Sequence, residues 1–164
     1  MNSDEVDLAL RVIIPIVTFL LGFLVSRFTM SKKERKDHEA RLLERSSELM
    51  RTQNEAFQEL CGALYRYTNK SEEPNLDDFF AISTKGERYF DRIRATCDAV
   101  IARQVDENSL RNSILPKVKE AVERTLPDFY ETLQEISKRE GITYSGEVRR
   151  ENYEAIFAVY EKYS

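Results

Sequence analysis

Few side chains in this 164-residue chain could hold a metal or move a proton, and they are scattered. The only histidine, His38, stands between Asp37 and Glu39, and Glu34 precedes it by one helical turn. A glutamate and a histidine four residues apart share a helix face, but no second histidine or thiolate cluster completes a set of metal ligands. A solvated helix accounts for the same residues, so we predict no metal site and no cofactor.

The sequence also lacks the motifs of the common enzyme classes. It contains no phosphate-binding glycine loop, no Gly-x-Ser-x-Gly elbow and no pair of Glu-x-x-His motifs for a diiron centre. The acidic pairs Glu72–Glu73 and Asp77–Asp78 fall in a loop and at a helix start, where solvation and the helix dipole account for them. We therefore expect a non-enzymatic protein with no small-molecule substrate.

Near the N-terminus, three small residues are spaced by four in an apolar segment: Thr18, Gly22 and Ser26. Small side chains at this spacing let two transmembrane helices approach closely. Small residues are common in such helices, so composition alone is the competing explanation. We interpret the three as a candidate surface for association within the membrane.

These residues belong to an uninterrupted apolar run, residues 12–26, bracketed by Arg11 and Arg27. Counted from Leu8 to Met30, a helix would be roughly 34 Å long, which is enough to cross a hydrocarbon core of about 30 Å. A cleaved signal peptide would need a basic start and a small-residue cleavage site, and this sequence has neither. The run predicts a single transmembrane anchor over 8–30 in contact with the lipid bilayer.

Charge predicts how this anchor is oriented. Residues 1–11 sum to −2, whereas residues 27–36 sum to +4. Because basic residues are retained on the cytoplasmic side, the N-terminus should lie outside and the rest of the chain in the cytoplasm, as in a prokaryotic inner-membrane protein. The basic residues that set this topology form a collar: Arg27, Lys32, Lys33, Arg35 and Lys36.

The remainder of the chain, residues 37–164, carries a net charge of −6. An acidic domain argues against a general nucleic-acid binder, so we expect no nucleic-acid partner. Its two cysteines, Cys61 and Cys97, lie on apolar helical faces in a compartment that keeps thiols reduced. Both are therefore expected to be small core residues.

From Ser31 to about Asn69 the apolar residues follow a helical period. Every seventh residue is apolar in the seam Leu43, Met50, Phe57 and Leu64, which we name the a row. Three residues further on lies the d row, Ser46, Gln53, Leu60 and Tyr67, which is polar in its first half. This pattern predicts a charged stalk that enters a packed bundle near Met50, with Phe57 in its core.

Three further helical segments follow. The breaker 71–75 precedes a stripe from Phe79 to Ile101, in which Gly86 either admits a close neighbour or ends a helix. A third stripe, from Leu110 to Ile136, contains Pro116 and Pro127, each expected to kink the helix or begin a new one. After Gly141, a last helix is predicted from about Glu147 to Tyr163, closing the bundle or docking on a partner.

These segments define an all-α chain with one N-terminal transmembrane helix and a cytoplasmic antiparallel bundle of about four helices. The predicted parts are an external N-terminus over 1–7, the anchor over 8–30, a charged helical stalk over 31–45 and a bundle over 46–164. No internal repeat is evident.

The function favoured by these features is that of a membrane-anchored adaptor or effector that acts by protein–protein assembly. Two alternatives remain: an oligomeric effector whose spans form a pore or disrupt the bilayer, and a helical enzyme with an unrecognised site. Assembly would be self-association through Thr18, Gly22, Ser26 and the a row. In the competing account, Gly22 packs on another membrane protein and the last helix covers the a row.

Overall fold

The computed structural model describes residues 32–70 and 76–164. These residues form helices, turns and irregular segments without a strand, which confirms the all-α fold with about four helices. Among them, no helix is long and apolar enough to cross a membrane, and the predicted anchor over 8–30 lies outside the described residues. The chain divides into two compact units, Met1–Ala40 and Arg41–Ser164, and the second contains the bundle.

Helix α1 spans Lys32–Thr68, within one residue of the limits predicted from the helical period. Its first turns are exposed and charged, and its first buried residue is Ser46. Further along, Arg51 bridges Glu48 and Glu55 on the exposed face, one turn to either side. Such exposed pairs contribute little to stability, so packing against the rest of the bundle must hold this helix in place.

Helix α2 spans Leu76–Ile101 and runs antiparallel to α1. The Phe57 and Tyr89 rings lie 5.2 Å apart between centroids, and Lys85 Nζ lies 2.7 Å from Glu59 Oε2. Gly86 lies inside α2, so it does not end a helix. Of the two roles predicted for this glycine, the structure shows the close approach of a neighbouring helix.

The helical stretch 107–139, named α3, is continuous in backbone conformation. It comprises α-helical segments Glu107–Ser109, Leu115–Glu120 and Leu126–Arg139, joined by π-helical turns Leu110–Ile114 and Ala121–Thr125. Each π turn ends directly before a Leu-Pro pair. In each wider turn the leucine before the proline bonds five residues back instead of four: the Leu115 N–H donates to the Leu110 carbonyl, and the Leu126 N–H donates to the Ala121 carbonyl. The proline that follows has no N–H to donate.

The two π turns recur eleven residues apart, each followed by Leu-Pro. This short structural repeat was not found in the sequence, because the shared residues are only Leu115-Pro116 and Leu126-Pro127. As expected, each proline lies at the start of a new α-helical segment. A π turn rather than a kinked loop connects successive α-helical segments, and the helical backbone remains continuous over 107–139.

Helix α3 lies beside α1 and runs parallel to it. The Asp106 N–H donates to Ser46 Oγ at 3.0 Å, and one α-helical segment later Lys117 Nζ donates to Asn54 Oδ1. From the first contact to the second, the residue number increases in both helices, so the two helices run in the same direction. Helices that follow one another in the chain are antiparallel, as the short loops predict, and α1 and α3 are parallel because α2 lies between them in the sequence.

The final helix begins later than predicted. Residues 142–149 are irregular, a 3₁₀ turn covers Arg150–Tyr153, and α4 spans Glu154–Tyr163. The irregular segment is held by its own contacts: Gln134 Nε2 donates to the Gly146 carbonyl at 2.8 Å, and the Tyr144 ring packs edge-on against Phe79. Helix α4 packs against α2 and α3, so it closes its own bundle, as preferred from the sequence.

An aromatic cluster lies at the centre of the core. Phe90 is 1% exposed, and its ring contacts those of Tyr89, Phe129 and Tyr153 at centroid distances of 5.3 to 5.8 Å. Ile93 and Cys97 are fully buried on the same helix, as predicted. Burying aromatic and aliphatic side chains of this size supplies the main favourable free energy of folding.

Candidate interaction surface

The a and d rows of α1, which were expected to form one buried seam, differ in exposure. In the d row, Ser46 and Gln53 are buried, with 0% and 2% exposure. In the a row, Leu43 is 54% exposed and Phe57 44% exposed, so the prediction that Phe57 belongs to the core is wrong. Met50 and Leu64 are half-buried. The helix therefore turns the partly polar d row inward and leaves Leu43 and Phe57 of the a row at the surface, while Met50 and Leu64 pack partly against the core.

Two hydrogen bonds explain why a serine can occupy the buried d row. The Ser46 hydroxyl donates to the Leu42 carbonyl at 2.8 Å and accepts from the Asp106 N–H at 3.0 Å. Asp106 in turn caps the start of α3, accepting from the N–H groups of Asn108 and Ser109. Ser46 thus ties the start of α3 to α1, a long-range role that helical periodicity cannot predict.

Gln53 has no comparable explanation. Its side-chain carbonyl oxygen Oε1 is buried without a hydrogen-bond partner. A buried polar atom without a partner costs free energy, so this position weakens the packing of α1.

Along one flank of α1, none of the residues is charged over six turns, and the ammonium group of Lys117 from α3 bonds to Asn54 there. This flank includes the a row and the positions four residues after each of its first three members, Ser47, Asn54 and Cys61. We name this surface the α1 stripe: Leu43, Ser47, Met50, Asn54, Phe57, Cys61 and Leu64. The adjacent row on the solvent side starts with Glu44 and Arg51, so the uncharged stripe stands out in a chain with 33% charged residues.

At its C-terminal end the α1 stripe forms one wall of a groove between α1 and α3. The groove has a volume of about 220 Å³. Its apolar surface comes from Phe57, Leu60, Leu64 and Phe129, and charged side chains of α3 form the opposite rim, with Glu120, Arg124 and Asp128 at successive turns. We name it the α1–α3 groove. Helix α3 therefore borders the a row.

Burial raises the pKa of two side chains of α2, Tyr89 and Cys97. Burial, together with smaller effects of the Glu120 carboxylate and Cys61, raises the pKa of Tyr89 to about 12. Cys61 is exposed at the groove, so the expectation of a core residue is wrong for this cysteine. Cys97 is buried as expected, and burial raises the pKa of its thiol to about 12. Only one of the two thiols is accessible.

The other association residues predicted from sequence cannot be placed on this surface. Thr18, Gly22, Ser26 and Arg27 lie outside the described residues. The rest of the basic collar is in α1: Lys32 begins the helix, and Lys33, Arg35 and Lys36 are exposed in its first turns. The stripe positions Ser47, Asn54 and Cys61 were not predicted to belong to an interaction surface, although their lack of charge in a charged helix indicates one.

The candidate catalytic groups are dispersed in the structure. His38 is exposed near the start of α1, and the described part of the chain brings no three metal-ligating side chains together. A pair of tyrosine hydroxyls, Tyr130 and Tyr153, lies 2.9 Å apart. Burial, followed by this hydrogen bond, raises the pKa of Tyr153 above its ordinary value. The pair joins α3 to the 3₁₀ turn before α4, a structural role.

Comparisons of the chain with protein-family models, curated proteins and solved structures found no match. The surface is therefore interpreted from its own residues.

Proposed function

We propose that this protein is a membrane-anchored, non-enzymatic helical adaptor that works by protein–protein assembly at the cytoplasmic face of the membrane. The observation that carries the proposal is the α1 stripe, an uncharged exposed surface on the helix that follows the predicted anchor in sequence. Exposed apolar side chains on an otherwise charged helix are typical of a surface that a partner covers.

The shape of the surface favours a protein partner over a small molecule. The α1–α3 groove is open along one side, and at about 220 Å³ it is smaller than the ~300–1,000 Å³ of common ligand pockets. An apolar floor with a charged rim suits the apolar side chains of a helix laid along it. Pore formation by the anchor is less favoured, because few polar residues of the span could line a pore: Thr18, Ser26 and the terminal arginines.

The anchoring is tested with the full chain carrying a C-terminal tag after Ser164. We expect the protein to remain in the membrane after alkaline extraction and the tag to be protected from protease outside intact cells. Reversing the charges of Lys32, Lys33, Arg35 and Lys36 should weaken or invert this orientation. Recovery in the soluble fraction, or cleavage of the tag from outside, would refute the proposed topology.

Assembly is tested separately by placing a photo-crosslinking residue at Ser47 in the stripe, in the full chain. We expect discrete protein adducts from this position and none from Ala95, which is exposed on α2. Equal labelling from the two positions would show that the stripe is no more than ordinary surface, and the adaptor proposal would then fail.

A further inference from the structure

We propose that the partner of the α1 stripe is a second copy of this chain, bound parallel and in register, so that each stripe covers the other across a two-fold axis. This inference rests on the proposed function, because it uses the shared membrane anchor. It identifies the occupant of the surface, its orientation and its register.

The distribution of charge favours a second copy over a different protein. Residues close to a two-fold axis meet their own copies, so a charge there would face the same charge. A different partner could supply the opposite sign, and its interface would not require an uncharged centre. All seven positions of the α1 stripe are uncharged residues, while the neighbouring row contains Glu44 and Arg51; a charged group reaches the stripe from α3, where Lys117 donates to Asn54. A surface of this kind is suited to pairing with itself.

The heptad spacing specifies the register. Leu43, Met50, Phe57 and Leu64 repeat every seven residues, so parallel helices in register bring each of them close to its own copy. Two chains anchored in one membrane with the same topology present α1 in the same direction, which favours the parallel arrangement. The α1–α3 groove beside Phe57 and Leu64 gives the second copy additional apolar surface at this end.

The area of the surface predicts that this dimer depends on the anchor. From residue 43 to 64 the stripe is about 32 Å long, and at a helix width of about 10 Å it offers roughly 300 Å² per copy. Stable dimers of soluble proteins bury about 800 Å² per partner. The stripe alone therefore gives weak association, whereas confinement in a membrane raises the effective concentration and allows the pair to form.

The native cysteines provide a direct test in the full chain. Cys61 belongs to the stripe and is exposed, so it should lie close to its own copy in the dimer, while Cys97 is buried. We expect a short bismaleimide added to membranes containing the wild-type protein to give a product of twice the chain mass. Cys61→Ser should abolish this product, and Cys97→Ser should leave it unchanged.

Charge variants at Leu43 test the register. Leu43 is 54% exposed, so Leu43→Glu should leave the fold intact and place like charges across the axis. We expect about a tenfold loss of the Cys61 product, since like charges at an interface disfavour association. Co-expression of Leu43→Glu with a differently tagged Leu43→Lys chain should restore a mixed dimer. Ala95→Glu on the exposed face of α2 is the matched control and should have no effect.

Three results would overturn the inference. The first is the absence of a dimer product when Cys61 in the same membranes reacts fully with a monofunctional maleimide. The second is the formation of products only at the mass of a foreign partner, and the third is a dimer product that persists in Leu43→Glu. Fractionation of each sample separates this outcome from failure of the proposed function: a chain absent from the membrane refutes the anchor, whereas a membrane-bound chain without the product refutes only the dimer.

Discussion

The Phe129 ring of α3 lies directly over Gly86 of α2, in the space that a side chain at position 86 would occupy. Gly86 is buried in the middle of its helix, and Phe129 is 6% exposed. The absence of a side chain on one helix thus admits a whole aromatic ring from the other. This contact also brings Phe129 within 5.3 Å of Phe90, between ring centroids, and so connects α3 to the aromatic cluster of the core.

Gly86→Ala should therefore destabilise the bundle, because the added methyl group overlaps the Phe129 ring. We expect a loss of about 1–3 kcal/mol in the free energy of unfolding, as for other overpacked cores. Urea unfolding of the 41–164 unit, followed by circular dichroism, measures it. Gly62→Ala in α1 is the matched control: no atom lies within 4 Å of the new methyl group, and better helix propensity should stabilise the domain by about 0.5–1 kcal/mol. Equal effects at both glycines would contradict the close approach.

Gln53→Met should stabilise the domain. The variant keeps the length of the side chain and removes the buried Oε1 atom that lacks a partner. Because an unsatisfied buried polar group costs about 1–3 kcal/mol, we expect a gain near the lower end of that range in the free energy of unfolding. The exposed Gln58 provides the control, since Gln58→Met should change stability little. A loss of stability in Gln53→Met would show that this glutamine contributes favourable interactions to the core.

Ser46→Ala should destabilise the domain by about 0.5–1.5 kcal/mol, because it removes the acceptor of the Asp106 N–H. Its neighbour Ser47 is exposed, and Ser47→Ala should be neutral or slightly stabilising through helix propensity. Hydrogen exchange at the Asp106 amide gives an independent measurement and should accelerate only in Ser46→Ala. Unchanged exchange there would mean that other contacts fix the start of α3.

Stability should fall in alkaline solution through buried tyrosines. The pKa of Tyr89 is raised to about 12, so above pH ~10 the unfolded chain loses this proton while the folded chain retains it. The stabilising contribution of Tyr89 to the free energy of unfolding is thus fully present below pH ~10 and decreases as the pH rises toward 12. We expect Tyr89→Phe to reduce the slope of the free energy of unfolding between pH 10 and 12. The exposed Tyr65 is the control, and Tyr65→Phe should leave the slope unchanged.

The two thiols should differ in reactivity. Cys61 is exposed, whereas Cys97 is 0% exposed and burial raises its pKa to about 12. Because the thiolate is the reactive form, a disulfide reagent at neutral pH should modify one thiol per native chain and both after denaturation. Cys61→Ser should remove the fast reaction. Fast modification of Cys97 in the folded protein would contradict its buried position.

The sequence by itself determined the fold class and the approximate limits of α1, α2 and the helical stretch of α3. Apolar residues at helical spacing, such as Ile82, Phe90 and Ile93, can be buried together only on one face of a helix, and local spacing is enough to show this. Gly141 also marks the end of α3 as predicted, because its φ of 65° is a conformation that glycine adopts without strain. These features depend on residues close together in the chain.

Only the tertiary structure decided which row of α1 is buried. Leu43 and Phe57 are more apolar than Ser46 and Gln53, so periodicity alone favours the wrong row. The inner row is selected by partners distant in sequence, because the Asp106 N–H needs the Ser46 hydroxyl and α3 lies on that side of α1. The consequence is the exposed stripe, whose members cannot be identified until the neighbours of α1 are known.

The same reason explains the π turns and the late start of α4. A proline predicts that one helical hydrogen bond is missing, but not whether the chain kinks or widens into a π turn. In the structure the chain widens before each proline, where the Leu115 and Leu126 N–H groups bond five residues back. Likewise, the start of α4 depends on contacts of the irregular segment before it, in which Gln134 bonds to the Gly146 carbonyl and Phe79 packs on Tyr144. Local sequence determined which elements form, and long-range contacts determined which surfaces of those elements remain exposed.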